Sequence, residues 1–523
     1  MTRRFDHSAR LTLADGRIPQ RSSSRIGGAV AAACLALGFS TAGAQQQSAP
    51  PASQPPAAQQ PQAQGIQPPR MDDPSAQLRD LARRERAIDL LTLYREALEN
   101  DMQFQSARFQ YQATLERVPQ ARAGLLPNLN ATGNYTESFP DSTATVSGAS
   151  LVPPRAGTVE ITGDNRFNNY GGGLNLSVPI YRPQNWELLE QAKLQAVQAE
   201  SVLAQARQDL VVRVSNAYFN VLGARDQVIA LESQRESTLQ QLAQAKREFE
   251  VGTKTIIDTN EAQARYDQIL AQLQVAVGTL IVRRNDLRAI VGRDPEVLAP
   301  LVDAPKLQLP QPNDANTWVK AAEEGNFSIR VARASAQIAE REVQRNRDAH
   351  KPTLDLVGGY NLNRSNGSAF TTFPTRSNTA TVGVQLNVPI YSGGLIQSRV
   401  REALALQNRS NSELESTLRT ATNSARSAFT GVNFGLTQVQ ALESAERSAR
   451  TQLESTRLGY QVGVRIQLDV LNATTQLVAT QRDLKRARYD FLLSGLNLKA
   501  AAGSLTEDDL RAVNALLTQP PAQ

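Results

Sequence analysis

Two octets carry the side chains best suited to reversible chemistry. Residues Val251 to Asp258 read VGTKTIID and residues Val462 to Asp469 read VGVRIQLD, 211 positions apart. Each opens with Val-Gly, has a cation at its fourth position and an aspartate at its eighth. Gly252 and Gly463 suit a tight turn, because glycine adopts left-handed backbone without steric cost. Asp258 and Asp469 stand where a carboxylate can cap the helix that follows. Lys254 and Arg465 supply charge at the turn, and solvation alone would explain them. These groups can cap, pair and set up a field, but none is a nucleophile.

Catalysis has little else to use. The single cysteine, Cys34, falls in an N-terminal apolar stretch, and His350 is the only histidine beyond that region. No HExxH pattern occurs. Gly171 to Gly173 lie inside an alternating stretch rather than ahead of a helix, so they form no phosphate loop and suit close strand packing or a bend. The chain reads as a non-enzyme with no cofactor and no resident metal.

Long elements must position the octets. All 26 prolines fall in clusters, and none occurs over 184–294 or 390–519. Uninterrupted helices require such tracts. Apolar residues recur at three and four around Leu90, Leu93, Tyr94, Ala97 and Leu98, which predicts a helix over about 87–123. Further helices are expected at 184–250 and 258–291, then 316–349, 394–460 and 469–502. At 1.5 Å per residue, the expected helices 184–250 and 394–460 would each span about 100 Å. In each set, the two shorter helices stacked end to end would line the long one. Leu188, Leu194, Val197, Leu203 and Leu210 form a narrow coiled-coil stripe.

Strands read from strict alternation at about 128–139 and 167–180, and again at 352–363 and 379–390. Leu129, Ala131, Gly133 and Tyr135 take one face, and Asn128, Asn130, Thr132 and Asn134 the other. Residues 139–165 read as a long polar loop. The order helix, strand pair, long helix, Gly turn, helix therefore occurs twice: repeat 1 at 87–292 and repeat 2 at 316–503, joined by a proline-rich linker over 293–315 and followed by a tail over 504–523.

The address is extracytoplasmic. Arg21 and Arg25, the apolar run Ile26 to Phe39, and Ala42-Gly-Ala44 form a secretory leader over 1–44. Apolar sequence continuing past Cys34, with Ala31 rather than leucine before it, argues against a lipid anchor. Residues 45–86 form a Pro/Gln-rich linker with too few apolar residues to bury a core. Six arginines and two aspartates of the leader account for most of the formal +6, which leaves about +2 and no case for nucleic-acid binding. Beyond the leader no apolar run reaches the length of a membrane helix. Four strands cannot close a barrel and membrane barrels begin at eight, so several copies must assemble; two copies give eight strands and three give twelve. Tyr135, Phe139, Tyr170, Tyr181, Tyr360 and Tyr391 lie near strand ends, as interfacial aromatic girdles do.

This order resembles the TolC family of outer-membrane channel proteins. The local matches are LPNL at Leu126 to Leu129, VPIY at Val178 to Tyr181, AYFNVL at Ala217 to Leu222, VPIYSGG at Val388 to Gly394, GYQVG at Gly459 to Gly463 and ARYDFL at Ala487 to Leu492. The resemblance covers roughly 87–515. It implies an α+β membrane protein: a homotrimer with a 12-strand β-barrel among outer-membrane lipid and a helical tunnel in the periplasm of a Gram-negative bacterium. It implies an exit duct for efflux pumps or type I protein secretion. The partners would be a periplasmic adaptor (membrane fusion) protein and an inner-membrane ABC, RND or MFS transporter. It also implies that the hairpin turns at Gly252 and Gly463 form a closed periplasmic entrance. Asp258, Tyr460 and Arg465 then fall on the ties that constrain the gate, with Arg488 further along the last helix. Asp469 falls on a carboxylate ring that draws cations and can bind an inhibitory divalent ion. Two departures stand out: Asn472 replaces the second ring carboxylate, and Ile257 stands where the family has a hydroxyl. Capping remains open as a role for both aspartates. The alternative reading is a periplasmic or surface coiled-coil structural or adaptor protein, which would need only one helical hairpin and no membrane strands.

Overall fold

The computed structural model describes residues 87–147, 153, 156–253, 255–294 and 297–517. The expected leader and Pro/Gln-rich linker, Lys254 and the last six residues lie outside the described residues.

Repeat 1 begins with three short helices, α1 (Leu90–Asn100), α2 (Met102–Leu115) and α3 (Arg117–Ala123). The sequence predicts one continuous helix here. It breaks first at Asp101, whose carboxylate caps α2 by accepting from the Phe104 amide at 2.6 Å and also accepts both guanidinium nitrogens of Arg213 at 3.0 Å. It breaks again at Glu116, because Pro119 has no N–H to give to the Leu115 carbonyl four residues back. Strand β1 (Asn128–Ser138) follows, then β2 (Ser142–Ser147), β3 (Thr158–Gly163) and β4 (Phe167–Tyr181). The expected polar loop over 139–165 thus holds a two-stranded hairpin with Ala144 opposite Ile161. Helix α4 (Pro183–Glu250) has 68 residues, or about 100 Å, and α5 (Ile256–Val291) returns beside it.

Repeat 2 has the same plan. Helices α6 (Ala315–Gly325) and α7 (Phe327–Arg347) replace the single helix expected over 316–349, with the break at Asn326, whose side chain caps α7 and donates to the Ala501 carbonyl at 2.8 Å. Strands β5 (Thr353–Ser365) and β6 (Thr375–Asn387), helix α8 (Leu395–Gln461), helix α9 (Gln467–Ala501) and the short α10 (Glu507–Asn514) complete the chain. Strand β6 starts earlier than expected and stops before Pro389, which offers no ladder donor. The two breaks are equivalent: Gly292, at the end of α5, lies against Asn100, and Gly503, just past α9, lies on Gly325. Each return helix therefore abuts a gap in the opening helix of its own repeat.

The sheet order is β1-β4-β5-β6, all antiparallel, and β1 and β6 each have one neighbour. Its register sorts the faces over the middle of the sheet. Leu129, Leu174, Leu176, Val178, Leu354, Leu356, Tyr360, Val382, Val384 and Leu386 share one face, and Asn130, Thr132, Asn175, Asn361, Thr381 and Gln385 share the other. Arg182, where β4 passes into α4, holds Asp355 of β5 through two bonds of 2.7 Å. Among the described residues, no helix is long and apolar enough to cross a membrane.

The main core lies midway along the long helices. Leu90, Leu93, Tyr94, Leu210, Val214, Tyr218, Phe219, Leu222, Leu287 and Leu498 pack there. The expected α4 stripe reaches it only at Leu210; Leu194 and Leu203 are half-buried, while Leu188 and Val197 are exposed. The linker straps this core: the Tyr218 hydroxyl donates to the Ala299 carbonyl at 2.6 Å, Arg225 donates to the Leu298 carbonyl at 3.0 Å, and Leu301 bridges to Leu517.

Candidate gate at the hairpin tips

Both tips are built alike. Gly252 (φ 75°) and Gly463 (φ 80°) are left-handed. The Thr253 amide donates to the Glu248 carbonyl at 2.9 Å and the Val464 amide to the Gly459 carbonyl at 2.9 Å, so each turn satisfies the last carbonyls of its long helix in a Schellman motif. A side chain at either glycine would force strained backbone.

The restarts differ. Thr255 caps α5, and Asp258 completes a capping box: its carboxylate accepts from the Thr255 amide at 3.0 Å and from the Thr255 hydroxyl at 2.8 Å. A hydroxyl does hold this carboxylate, but from two residues before the exposed Ile257. In α9 the cap position is Ile466, and Asp469 lies in the first turn with Arg465 3.7 Å away. Arg465 thus pairs inside its own hairpin, a contact that by itself ties nothing across. Asn472 is exposed, about one turn further along α9. Arg488 is not at the tip. It stands 19 residues, or about 28 Å, beyond Asp469, where it bonds Glu443 at 2.8 Å and the Asp303 carbonyl of the linker.

Tyr460 reaches across to the first hairpin. Its hydroxyl donates to Gln467 at 2.8 Å, accepts from Gln244 at 3.3 Å and lies 3.4 Å from the Glu248 carboxylate. Burial, then the Glu248 charge, with Asp258 adding, pushes the phenol above its ordinary value of 10.0. A raised tyrosine pKa means this contribution is complete below pH 10 and is lost as pH rises from there through the raised value. Alkaline absorbance titration should give a midpoint above 10.0 for the phenolate that is lost in Tyr460→Phe; a midpoint at or below it would contradict this packing.

Sequence reasoning missed the rest of this seam. Below the core, apolar clusters lie within hairpins: Leu242, Ala245, Ala262 and Tyr266 in α4–α5, and Leu453, Val470, Ala473 and Leu477 in α8–α9. Between hairpins, beside the Phe219–Tyr489 stacking with centroids 5.3 Å apart, polar bonds cross the seam. Asp226 accepts from the Tyr489 hydroxyl at 2.7 Å and from Lys485 at 3.2 Å. The Thr475 hydroxyl accepts from Gln234 at 3.0 Å and from Arg265 at 3.1 Å, joining α4, α5 and α9 at one oxygen. Gln467 reaches the Gln241 carbonyl at 3.4 Å. Gln234, Gln241 and Glu248 are seven residues apart, the period of a coiled-coil seam, and polar groups at such positions fix register at a cost in stability. Each hairpin thus has its own apolar cluster near the tip, and polar bonds join the two.

Known proteins share this layout. Residues 93–293 and 318–504 match the outer membrane efflux protein family. The chain is 33% identical over 443 residues to the outer membrane protein TolC of Vibrio cholerae, covering 84% of this chain and 96% of that one. It is 31% identical over 431 residues to the alkaline protease secretion protein AprF of Pseudomonas aeruginosa, covering 82% and 87%. In fold it is similar to the Campylobacter jejuni CmeC outer membrane channel, with a TM-score of 0.67 at 18% identity over 82% of this chain and 89% of that one. Two hairpins with a one-sided apolar sheet, matched over most of the length, are what such a duct requires, and the chain belongs to the outer membrane efflux protein family: it is a channel of the outer membrane that reaches into the periplasm.

Proposed function

We infer that three copies of the chain assemble into one duct, with the tips of their hairpins as its gate. The observation that carries this is the four-stranded sheet with one apolar face and both edges unpaired. Left in water, such edges would invite aggregation. Pairing β6 of one copy with β1 of the next removes every edge at twelve strands, with the Asn and Thr face lining the lumen. Residues 1–44 would be removed on export.

Channels of this family work with adaptor proteins and inner-membrane transporters. An ABC, RND or MFS transporter would select the cargo and supply the energy, and this chain would only conduct. The likeness to a protease secretion protein supports protein export beside small-molecule efflux.

The experiment is conductance of the purified full-length protein in planar bilayers; absence of any pore would sink the reading. The entrance assignment has its own test. With Asp469 present and Asn472 neutral, each copy brings one carboxylate to the mouth. Asn472→Asp should shift the reversal potential toward stronger cation selectivity and deepen block by divalent ions, whereas Asp469→Asn should weaken both. Unchanged reversal potentials in both variants would remove these residues from the mouth.

A further inference from the structure

We propose that Arg364 and Arg376 form a site for the phosphate of an outer-leaflet lipid headgroup. The two lie directly opposite each other on β5 and β6, exposed on the apolar face. Like charges in that position repel. Among the described residues neither arginine forms an ion pair, so the structure itself supplies no counter-charge.

Their height is what identifies the partner. The same face runs from the Leu354–Leu386 pair, at the end where the helices leave, to the Arg364–Arg376 pair at the far end. That is ten residues on each strand, or about 33 Å along the strand. At the usual barrel tilt it corresponds to about 25 Å of height, the thickness of the apolar band of an outer-membrane barrel. Between the two pairs lie Leu356, Val384, Val382 and Tyr360. The arginine row continues through Tyr170, which stacks on Tyr135 with centroids 6.1 Å apart, as an aromatic girdle would. The guanidinium groups therefore stand where hydrocarbon ends and lipid phosphates begin. Two adjacent forks suit a phosphate, which accepts paired N–H bonds.

The carboxylates nearby do not compete. Glu137 is on the same face but in β1, with β4 between it and β5. Carrying the β4–β5 register across a subunit seam by the repeat offsets of 210 and 225 sets Glu137 of a neighbouring copy opposite Val382, about 20 Å along the strand from Arg376. Asp141, Glu160 and Asp164 belong to the β2–β3 projection.

The test uses the full-length protein in phosphatidylcholine nanodiscs with trace fluorescent lipid A, scored by lipid retained on the protein. The parent should retain it in a salt-sensitive way. The double variant Arg364→Gln/Arg376→Gln should bind about 10- to 30-fold more weakly, and Arg364→Lys/Arg376→Lys, which keeps charge but loses the forks, should fall between. Arg409→Gln on α8 should match the parent. Equal retention by the Gln double variant, equal retention of dephosphorylated lipid A, or displacement by inorganic phosphate alone would overturn the proposal. Conductance of the same preparations separates the failures. Pores without selective retention defeat only this inference, while absence of pores in the parent defeats the duct reading and this with it.

Discussion

Replacing Val382 by arginine should abolish assembly in the outer membrane, while arginine at the adjacent Thr381 should be tolerated. Val382 is 85% exposed in the single chain and lies near the middle of the apolar face. A cation facing lipid at mid-depth costs about 2–4 kcal/mol. If three copies assemble, this rises to roughly 6–12 kcal/mol, comparable with the whole stability of a typical folded domain. Thr381 points the other way, beside Gly359 on the polar face, where its hydroxyl donates to the Gly359 carbonyl at 3.4 Å. Arginine there would meet a wet lumen and should change conductance, not insertion. Outer-membrane fractionation and heat-resistant oligomer on gels read the first effect, and bilayer recording reads the second. The reverse pattern would mean that the faces are assigned the wrong way round.

Thr475→Val should hold the duct open. Valine keeps the branched shape of threonine but removes the oxygen at which Gln234 and Arg265 meet. Gln234 is only 7% exposed, so its amide loses a partner in a place water reaches poorly. Losing such a bond costs about 1–3 kcal/mol, or roughly tenfold per chain in the balance between closed and open. If three chains open together, the factors multiply to about 10³. Single-channel records should show a larger open fraction at unchanged maximal conductance, and Thr475→Ser should restore the parent behaviour. Gln234→Met should open the duct as well, and adding it to Thr475→Val should give less than the product of the two, since both remove the same bond. Fully multiplicative effects, or a Val variant that gates like the parent, would remove Thr475 from the latch.

The sequence carried the repeat, the turns and the faces of the sheet, because each is a local signal. Left-handed glycine after a long helix needs no partner to be recognised, and neither does alternation in β1. The seam was harder to see. Gln234, Gln241 and Glu248 look like a solvated stripe until the other hairpin is laid on them, since seven-residue spacing reports a shared face but not what covers it. Arg465 and Asp469 show the converse: a matched pair in the sequence, yet one that closes on itself across a single helical turn. The helix breaks had a signal that apolar periodicity masked. Asp101 and Asn326 are 225 positions apart, the offset that also relates Pro127 to Pro352, and both are residues that cap. The β2–β3 projection has no counterpart in repeat 2, so the repeat gave no second reading of it.

The strand order has a consequence for how the chain reaches this state. Strands β1 and β4, and strands β5 and β6, can zip soon after each segment emerges. The β4–β5 joint cannot, because Tyr170 and its partner Arg364 are 194 residues apart in the chain. Closing so long a loop is slow and is rewarded only at the end. The Arg182–Asp355 clamp spans the same joint and must wait with it. Until then two apolar ribbons remain in water, each with open edges. A lesion deep in the helices, far from any lipid, would therefore first be felt as ribbons that never meet: a defect of delivery to the membrane, not of conduction.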